Sequence, residues 1–184
     1  MRRICDTMRM MKKTMTAFDK QIYQGKPIYI TSDKYWDGGI TAGDSLKTKA
    51  EFYEVAHQMT SFIKRFISHL KEDIYIGQQY CEYNQLYANW SDLRKHELFR
   101  IISSMIQKKR TYQLSLPEDS EMVDIILESN FRYYTYVSMY LPKNDIIIQP
   151  TCHTEMIIYA TDTDTMYNVL TQLIGEFPQL KVKL

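Results

Sequence analysis

The chain has 184 residues, with 23 Lys and Arg against 22 Asp and Glu, so its formal net charge is +1. This length fits one domain, and an apolar fraction of 45% excludes a disordered chain. Near-neutral charge counts against a broad surface for nucleic acid or anionic membranes. The 3 cysteines cannot form a closed disulfide framework, and their odd number indicates a reducing compartment. We therefore expect a cytoplasmic protein.

The N-terminal segment is rich in methionine and basic residues but has no apolar run that could form the core of a signal peptide. We expect residues 1–13 to be disordered or an artefact of the assigned start, and residues 14–184 to form a single α+β domain with a soft internal boundary near residue 110. No stretch approaches the roughly 20 apolar residues of a spanning helix, so we predict no transmembrane segment.

The first half of the chain is predicted to be mostly helical. Apolar residues recur at spacings of three and four from Phe52 to Leu70, which marks the buried face of a long amphipathic helix. Ser45 or Thr48 is a suitable cap for this helix. The other predicted elements of this half are a short helix over 14–24, a strand over 26–30, a loop over 31–45, a strand-like segment over 74–77 and a second helix from 84 or 91 to 108.

After residue 110 the pattern changes to short alternating or β-branched runs separated by turn residues, which predicts strands with two helices among them. Pro117 and the acidic residues after it mark the first of these helices, and Thr163 or Asp164 caps the second. The predicted order is β-α-β-β-β-α-β. The fold class is therefore α+β, with a helical N-terminal half and a C-terminal half that is a mostly antiparallel sheet with two helices.

Tyrosines are concentrated in one predicted strand, since four of the 15 fall between Tyr133 and Tyr140. Alternation along this strand places Tyr134, Tyr136 and Tyr140 on one face. Tyrosine is favoured at interfaces because it combines an apolar body with a polar tip. We therefore predict a protein-binding site, which consists of Tyr134, Tyr136, Tyr140 and Arg132.

A nucleic-acid site is the alternative at the same strand. Residues 132–137 resemble in part the aromatic strand of RNA-recognition motifs, and residues 74–77 resemble the first strand of that family. The resemblance implies that bases stack on sheet aromatics, with Lys108, Lys109 and Arg110 near the phosphates. The glycines of the family are missing and the order of elements differs.

Residues 33–44 resemble the calcium-binding loop of EF-hand proteins. The resemblance implies metal ligation by Asp33, Asp37 and Asp44, at positions 1, 5 and 12 of such a loop. Tyr35 stands where an oxygen ligand belongs, and the entering segment has the pattern of a strand. The competing interpretation is a turn rich in glycine and aspartate that joins a strand to a helix.

Residues 43–46, Gly-Asp-Ser-Leu, resemble the nucleophile block of GDSL esterases, whose serine attacks an ester carbonyl. The Asp-x-x-His of that family is absent, and a serine without a matching base is not a nucleophile. Ser45 as a helix cap is the competing interpretation. A small hydrolase or metal-dependent protein built on loop 33–45 is thus the third functional hypothesis.

The leading hypothesis is a non-enzymatic interaction or regulatory protein, such as an inhibitor, that binds a protein partner. Its binding surface would be the tyrosine-rich sheet face or the amphipathic helix 48–71. The sequence contains no complete catalytic constellation, while Tyr and Met, which suit binding surfaces, are plentiful. We predict no catalytic residue and no cofactor. A homodimer is a further prediction, because two-fold dimers are the commonest assembly.

Overall fold

A computed structural model of the chain describes residues 2–3, 26–34, 46–80, 112–131, 136–151 and 153–184. Within these ranges there are eight strands, three α-helices and one 3-10 turn. Their bounds are β1 Arg2–Arg3, β2 Ile28–Ser32, α1 Leu46–Leu70, β3 Ile74–Tyr80, β4 Tyr112–Leu114, α2 Ser120–Phe131, β5 Tyr136–Leu141, β6 Ile146–Pro150, β7 Met156–Ala160, α3 Thr163–Leu173, the 3-10 turn Ile174–Glu176 and β8 Leu180–Lys183.

The described strands form one antiparallel sheet in the order β1-β4-β3-β5-β6-β7-β2-β8. Two strands from the first half of the chain lie inside this sheet, because β3 pairs with β4 and β5, and β2 pairs with β7 and β8. The predicted helical N-terminal half is therefore wrong. The strands themselves were expected over 26–30 and 74–77, and isoleucine and tyrosine are enriched in strands, but their place inside the sheet of the second half was not predicted.

The described elements from Tyr112 onward follow the predicted order β-α-β-β-β-α-β. The helix α2 continues to Phe131, and the described part of the tyrosine-rich strand is Tyr136–Leu141. The last helix is capped by Asp162, whose carboxylate accepts a hydrogen bond from the backbone N–H of Thr165 at 3.0 Å. The predicted helices over 14–24 and from 84 or 91 to 108 lie outside the described residues.

The core lies between one face of the sheet and a layer formed by α1, α2 and α3. Helix α1 packs on the other two helices, α2 on β5 and β6, and α3 on β7 and β8. The predicted amphipathic face of α1 is buried, with Phe52, Phe62 and Phe66 fully enclosed. Thr48 lies inside α1 and so does not cap it, and Ser45 is outside the described residues. No helix in the described ranges has the length and hydropathy to cross a membrane.

Two adjacent carboxylates after α1 fix the sheet to the end of this helix. The buried Glu72 accepts hydrogen bonds from the backbone N–H of Lys143 and from Asn144 Nδ2, the latter at 2.7 Å, and so holds the β5–β6 turn. Asp73 accepts hydrogen bonds from Gln113 Nε2 and from Ser115 Oγ, the latter at 2.8 Å, and so holds β4.

Candidate functional site

The sheet has a second face on which none of the three described helices lies, and in this sense we call it the helix-free face. Successive residues of a strand point to opposite faces. Met139 and Ile148 belong to the main core under the helices, whereas Tyr140 and Ile147 form a separate apolar cluster. The helix-free face therefore carries its own apolar side chains, which the helical layer does not use.

Four residues of this face stand in line across four neighbouring strands, and we call them the tyrosine row: Tyr75, Tyr140, Ile147 and Tyr159. Tyr75 pairs with Tyr140, Tyr140 with Ile147, and Ile147 with Tyr159. Side chains directly opposite in an antiparallel pair are close enough to pack. Tyr140 and Ile147 are 2% and 3% exposed, and the flanking Tyr75 and Tyr159 are partly exposed.

Carboxylates stand beside one end of the tyrosine row. Burial raises the pKa of Tyr140 to about 12, with smaller contributions from the negative charges of Asp145 and Glu72. Burial, followed by the charges of Asp73 and Glu72, also raises the pKa of Tyr75. Both phenols therefore stay protonated at neutral pH and keep an O–H that can donate a hydrogen bond.

A second line of side chains extends the helix-free face toward β8. Ile157 pairs with Tyr29, and Tyr29 pairs with Lys183. Ile157 and Tyr29 are partly exposed, and Lys183 is exposed. The accessible side chains of this face thus include Tyr29, Tyr75, Ile157 and Tyr159, together with the polar Gln149, which pairs with Ile157, and the exposed Lys183.

Of the predicted protein-binding residues, Tyr140 lies in the tyrosine row. Tyr136 begins β5, where its backbone pairs with Tyr80, and Arg132 and Tyr134 lie outside the described residues. That these residues bind a protein stays a prediction. The sequence prediction did not include Tyr75, Ile147 and Tyr159, which join Tyr140 in the row. The sequence shows that each of these residues alternates with core residues along its own strand. It does not show the alignment between strands that brings the three beside Tyr140.

The residues of the two alternative sites fall mostly outside the described part of the chain. This holds for Lys108, Lys109 and Arg110 of the nucleic-acid hypothesis, and for Asp37 and Asp44 of the metal hypothesis.

Asp33, the remaining predicted metal ligand, is exposed and forms an ion pair with Lys181. The Asp33 carboxylate is thus already paired with the Lys181 ammonium group at the edge of the sheet. In the described ranges, no group of three or more His, Cys, Asp or Glu side chains is arranged to hold a metal ion.

The helical layer carries a polar groove of about 240 Å³ between α1 and α2. Lys64 Nζ and Asp124 Oδ1 form an ion pair across it at 2.6 Å, and both side chains are partly exposed. A second groove of about 520 Å³ lies beside the end of α1, and Glu72 and Asp73 are among its lining residues. These two carboxylates already accept hydrogen bonds that hold the β5–β6 turn and β4, so their role in this groove is structural.

The chain matches no protein-family model, no curated protein and no solved structure. A functional proposal for this protein therefore depends on the geometry of its own surfaces.

Proposed function

We propose that the protein is a non-enzymatic interaction or regulatory protein that binds a protein partner through its helix-free face. The observation that carries this proposal is the tyrosine row, which places three tyrosines and one isoleucine side by side on a face that bears none of the described helices. The amphipathic helix is the weaker candidate, because the apolar side of α1 is buried in the core.

The chemistry of the row suits a protein interface. Tyrosine supplies a large apolar contact area at a low cost in conformational entropy, and its hydroxyl can form a hydrogen bond at the rim. The buried pair Tyr140 and Ile147 supports the flanking Tyr75 and Tyr159 from the side, so these two rings are held in place before a partner arrives. Contact residues that are held in place lose less freedom on binding and therefore contribute more to affinity.

The test uses single substitutions that place a charge on the face while the buried pair itself is left unsubstituted. Tyr75→Arg and Tyr159→Arg each put a cation where a partner would pack, and Asn168→Arg puts the same charge on the exposed side of α3. The tagged proteins are used to recover partners from native cell extract, and recovered proteins are identified by mass spectrometry. Circular dichroism and thermal unfolding verify that each variant is folded.

We expect a defined partner with the unaltered protein and with Asn168→Arg, and a loss of at least about tenfold with each tyrosine variant, as for aromatic positions that dominate an interface. If the same partner is recovered equally with all four proteins, the helix-free face is not the binding surface.

A further inference from the structure

The strand β8 forms one edge of the described sheet. It pairs with β2 on one side, through four residue pairs from Tyr29–Lys183 to Ser32–Leu180, and no described strand lies on the other side. An edge strand presents backbone N–H and C=O groups that are a template for pairing with another extended chain. The edge of β8 is thus a surface of a different kind from the tyrosine row.

Side chains along this edge alternate in chemistry. Lys181 and Lys183 are exposed and point to the helix-free side, since Lys181 pairs with Thr31 and Lys183 with Tyr29. The ammonium group of Lys181 already forms an ion pair with Asp33, so the charge of Lys183 is the one that faces a neighbour at this edge. On the helix side, Leu180 is buried in the core and Val182 packs partly against it, and Leu184, which follows the strand, is 59% exposed. Apolar residues thus alternate with the lysines along a strand that has no described neighbour on its outer side.

The charge of Lys183 disfavours one neighbour at this edge, a second copy of the same strand. Two β8 strands paired antiparallel about a two-fold axis would bring their lysines to the same side of the joined sheet. Like charges at facing positions of neighbouring strands are destabilising, and lysine on an edge strand is a recognised protection against such self-pairing. The same positions favour a neighbour with carboxylates there, because opposite charges on facing positions are stabilising.

We propose that the outer edge of β8 accepts an extended segment of another protein whose side chains alternate between acidic and apolar. Its backbone would continue the sheet, a carboxylate would face Lys183 while Lys181 is shared with Asp33, and its apolar residues would cover Val182 and Leu184. Strand addition of this kind draws affinity from main-chain hydrogen bonds and specificity from alternate side chains. This interaction goes beyond the proposed function, because it uses a different surface from the tyrosine row.

The test uses the purified full chain and a short fluorescent peptide of alternating valine and glutamate. One control peptide carries glutamine in place of glutamate, and another has alternate amides N-methylated so that it cannot pair as a strand. Binding is followed by fluorescence anisotropy. Lys183→Glu reverses the charge at the edge, and Lys143→Glu makes the same change in the exposed β5–β6 turn as a matched control.

We expect the glutamate peptide to bind up to about fivefold more tightly than the glutamine peptide, from the charge pair at Lys183. We expect no binding of the N-methylated peptide, and about a tenfold loss with Lys183→Glu that Lys143→Glu does not reproduce. Amide hydrogen exchange should slow in β8 on binding. Equal binding of all three peptides, no binding of any, or equal effects of the two lysine variants would each overturn the proposal. A dimer of the chain alone that Lys183→Glu strengthens would overturn it in favour of self-pairing.

Because every component of this test is pure, its outcome is independent of the partner search with Tyr75→Arg and Tyr159→Arg. If the peptide does not bind at the β8 edge, the proposal for the tyrosine row is unaffected. If the tyrosine variants do not change partner recovery, the conclusion from the peptide measurement still holds.

Discussion

Asn130 ties the end of α2 to the start of β5, because its Oδ1 accepts a hydrogen bond from the backbone N–H of Val137 at 2.8 Å. Its Nδ2 donates to the carbonyl oxygen of Ile126, also at 2.8 Å, so both ends of this buried amide are used. A helix residue thereby fixes where the neighbouring strand begins.

Asn130→Ala should lower the free energy of unfolding by about 2 kcal/mol, since the N–H of Val137 would remain buried without an acceptor. Urea unfolding monitored by circular dichroism measures the change. The matched control is Asn168→Ala on the exposed side of α3, which should stay within about 0.5 kcal/mol of the unaltered protein. Equal urea midpoints for the two variants would show that the amide does not connect helix and strand as described.

The aromatic residues of α1 should make the largest contribution of any side chains to stability. Phe66 is fully buried between the helical layer and the sheet. Phe66→Ala removes most of a buried ring and should cost about 3–5 kcal/mol, measured by urea unfolding. His69→Ala, on the exposed side of the same helix, should have little effect. A loss below about 1 kcal/mol for Phe66→Ala would contradict the packing of α1 on the sheet.

Lys71 is the first residue after α1, and its backbone adopts the left-handed conformation with φ of 52°. Its N–H donates a hydrogen bond to the carbonyl oxygen of Ser68 at 3.3 Å. Glycine adopts this conformation without the clash that a Cβ causes. Lys71→Gly should therefore be more stable to urea than Lys71→Ala by about 1 kcal/mol, since both variants lose the same charge. If Lys71→Ala is the more stable of the two, the helix does not end in this conformation.

Stability at high pH should depend on Tyr140. Burial, with the nearby Asp145 and Glu72 carboxylates, raises its pKa to about 12 in the folded protein, against about 10 for an ordinary tyrosine. The folded state therefore holds this proton more tightly, and the resulting stability is complete below about pH 10 and is lost as the pH rises toward 12.

The difference in unfolding free energy between the unaltered protein and Tyr140→Phe, measured by urea unfolding at several pH values, should be constant below about pH 10 and should shift against the unaltered protein above it. A difference that is independent of pH up to about 12 would show that the Tyr140 phenol is not buried beside these carboxylates.

Local patterns predicted most elements of the described fold. The spacing of Phe52, Phe62 and Phe66 located α1, and the turn and proline signals after residue 110 gave the β-α-β-β-β-α-β order. What failed was the assignment of the first half as helical. The strand character of β2 and β3 was predicted over 26–30 and 74–77, but their pairing with β4, β5, β7 and β8, which are distant in sequence, was not. Such pairing depends on tertiary contacts, and the hydrophobic periodicity within one segment does not reveal them.

The candidate site was predictable only in part, for the same reason. Alternation predicted that Tyr134, Tyr136 and Tyr140 share one face, and of these side chains the structure describes Tyr140, which lies apart from the core that holds its neighbour Met139. The partners of Tyr140 in the row come from three other strands, and the register of each pair is set by turns such as the one that Glu72 holds. A single sequence contains the tyrosines but not the alignment between strands that makes them neighbours.

The most direct test of the central claim is site-specific photo-crosslinking on the helix-free face. A photoreactive phenylalanine analogue replaces Tyr75 in one protein and Asn168 in another, and each is irradiated in native cell extract. We predict a defined crosslinked protein from position 75 that is absent from position 168 and is reduced when Tyr159→Arg is added. Identical adducts from both positions, or no adduct from position 75, would contradict the claim that this face binds a protein partner.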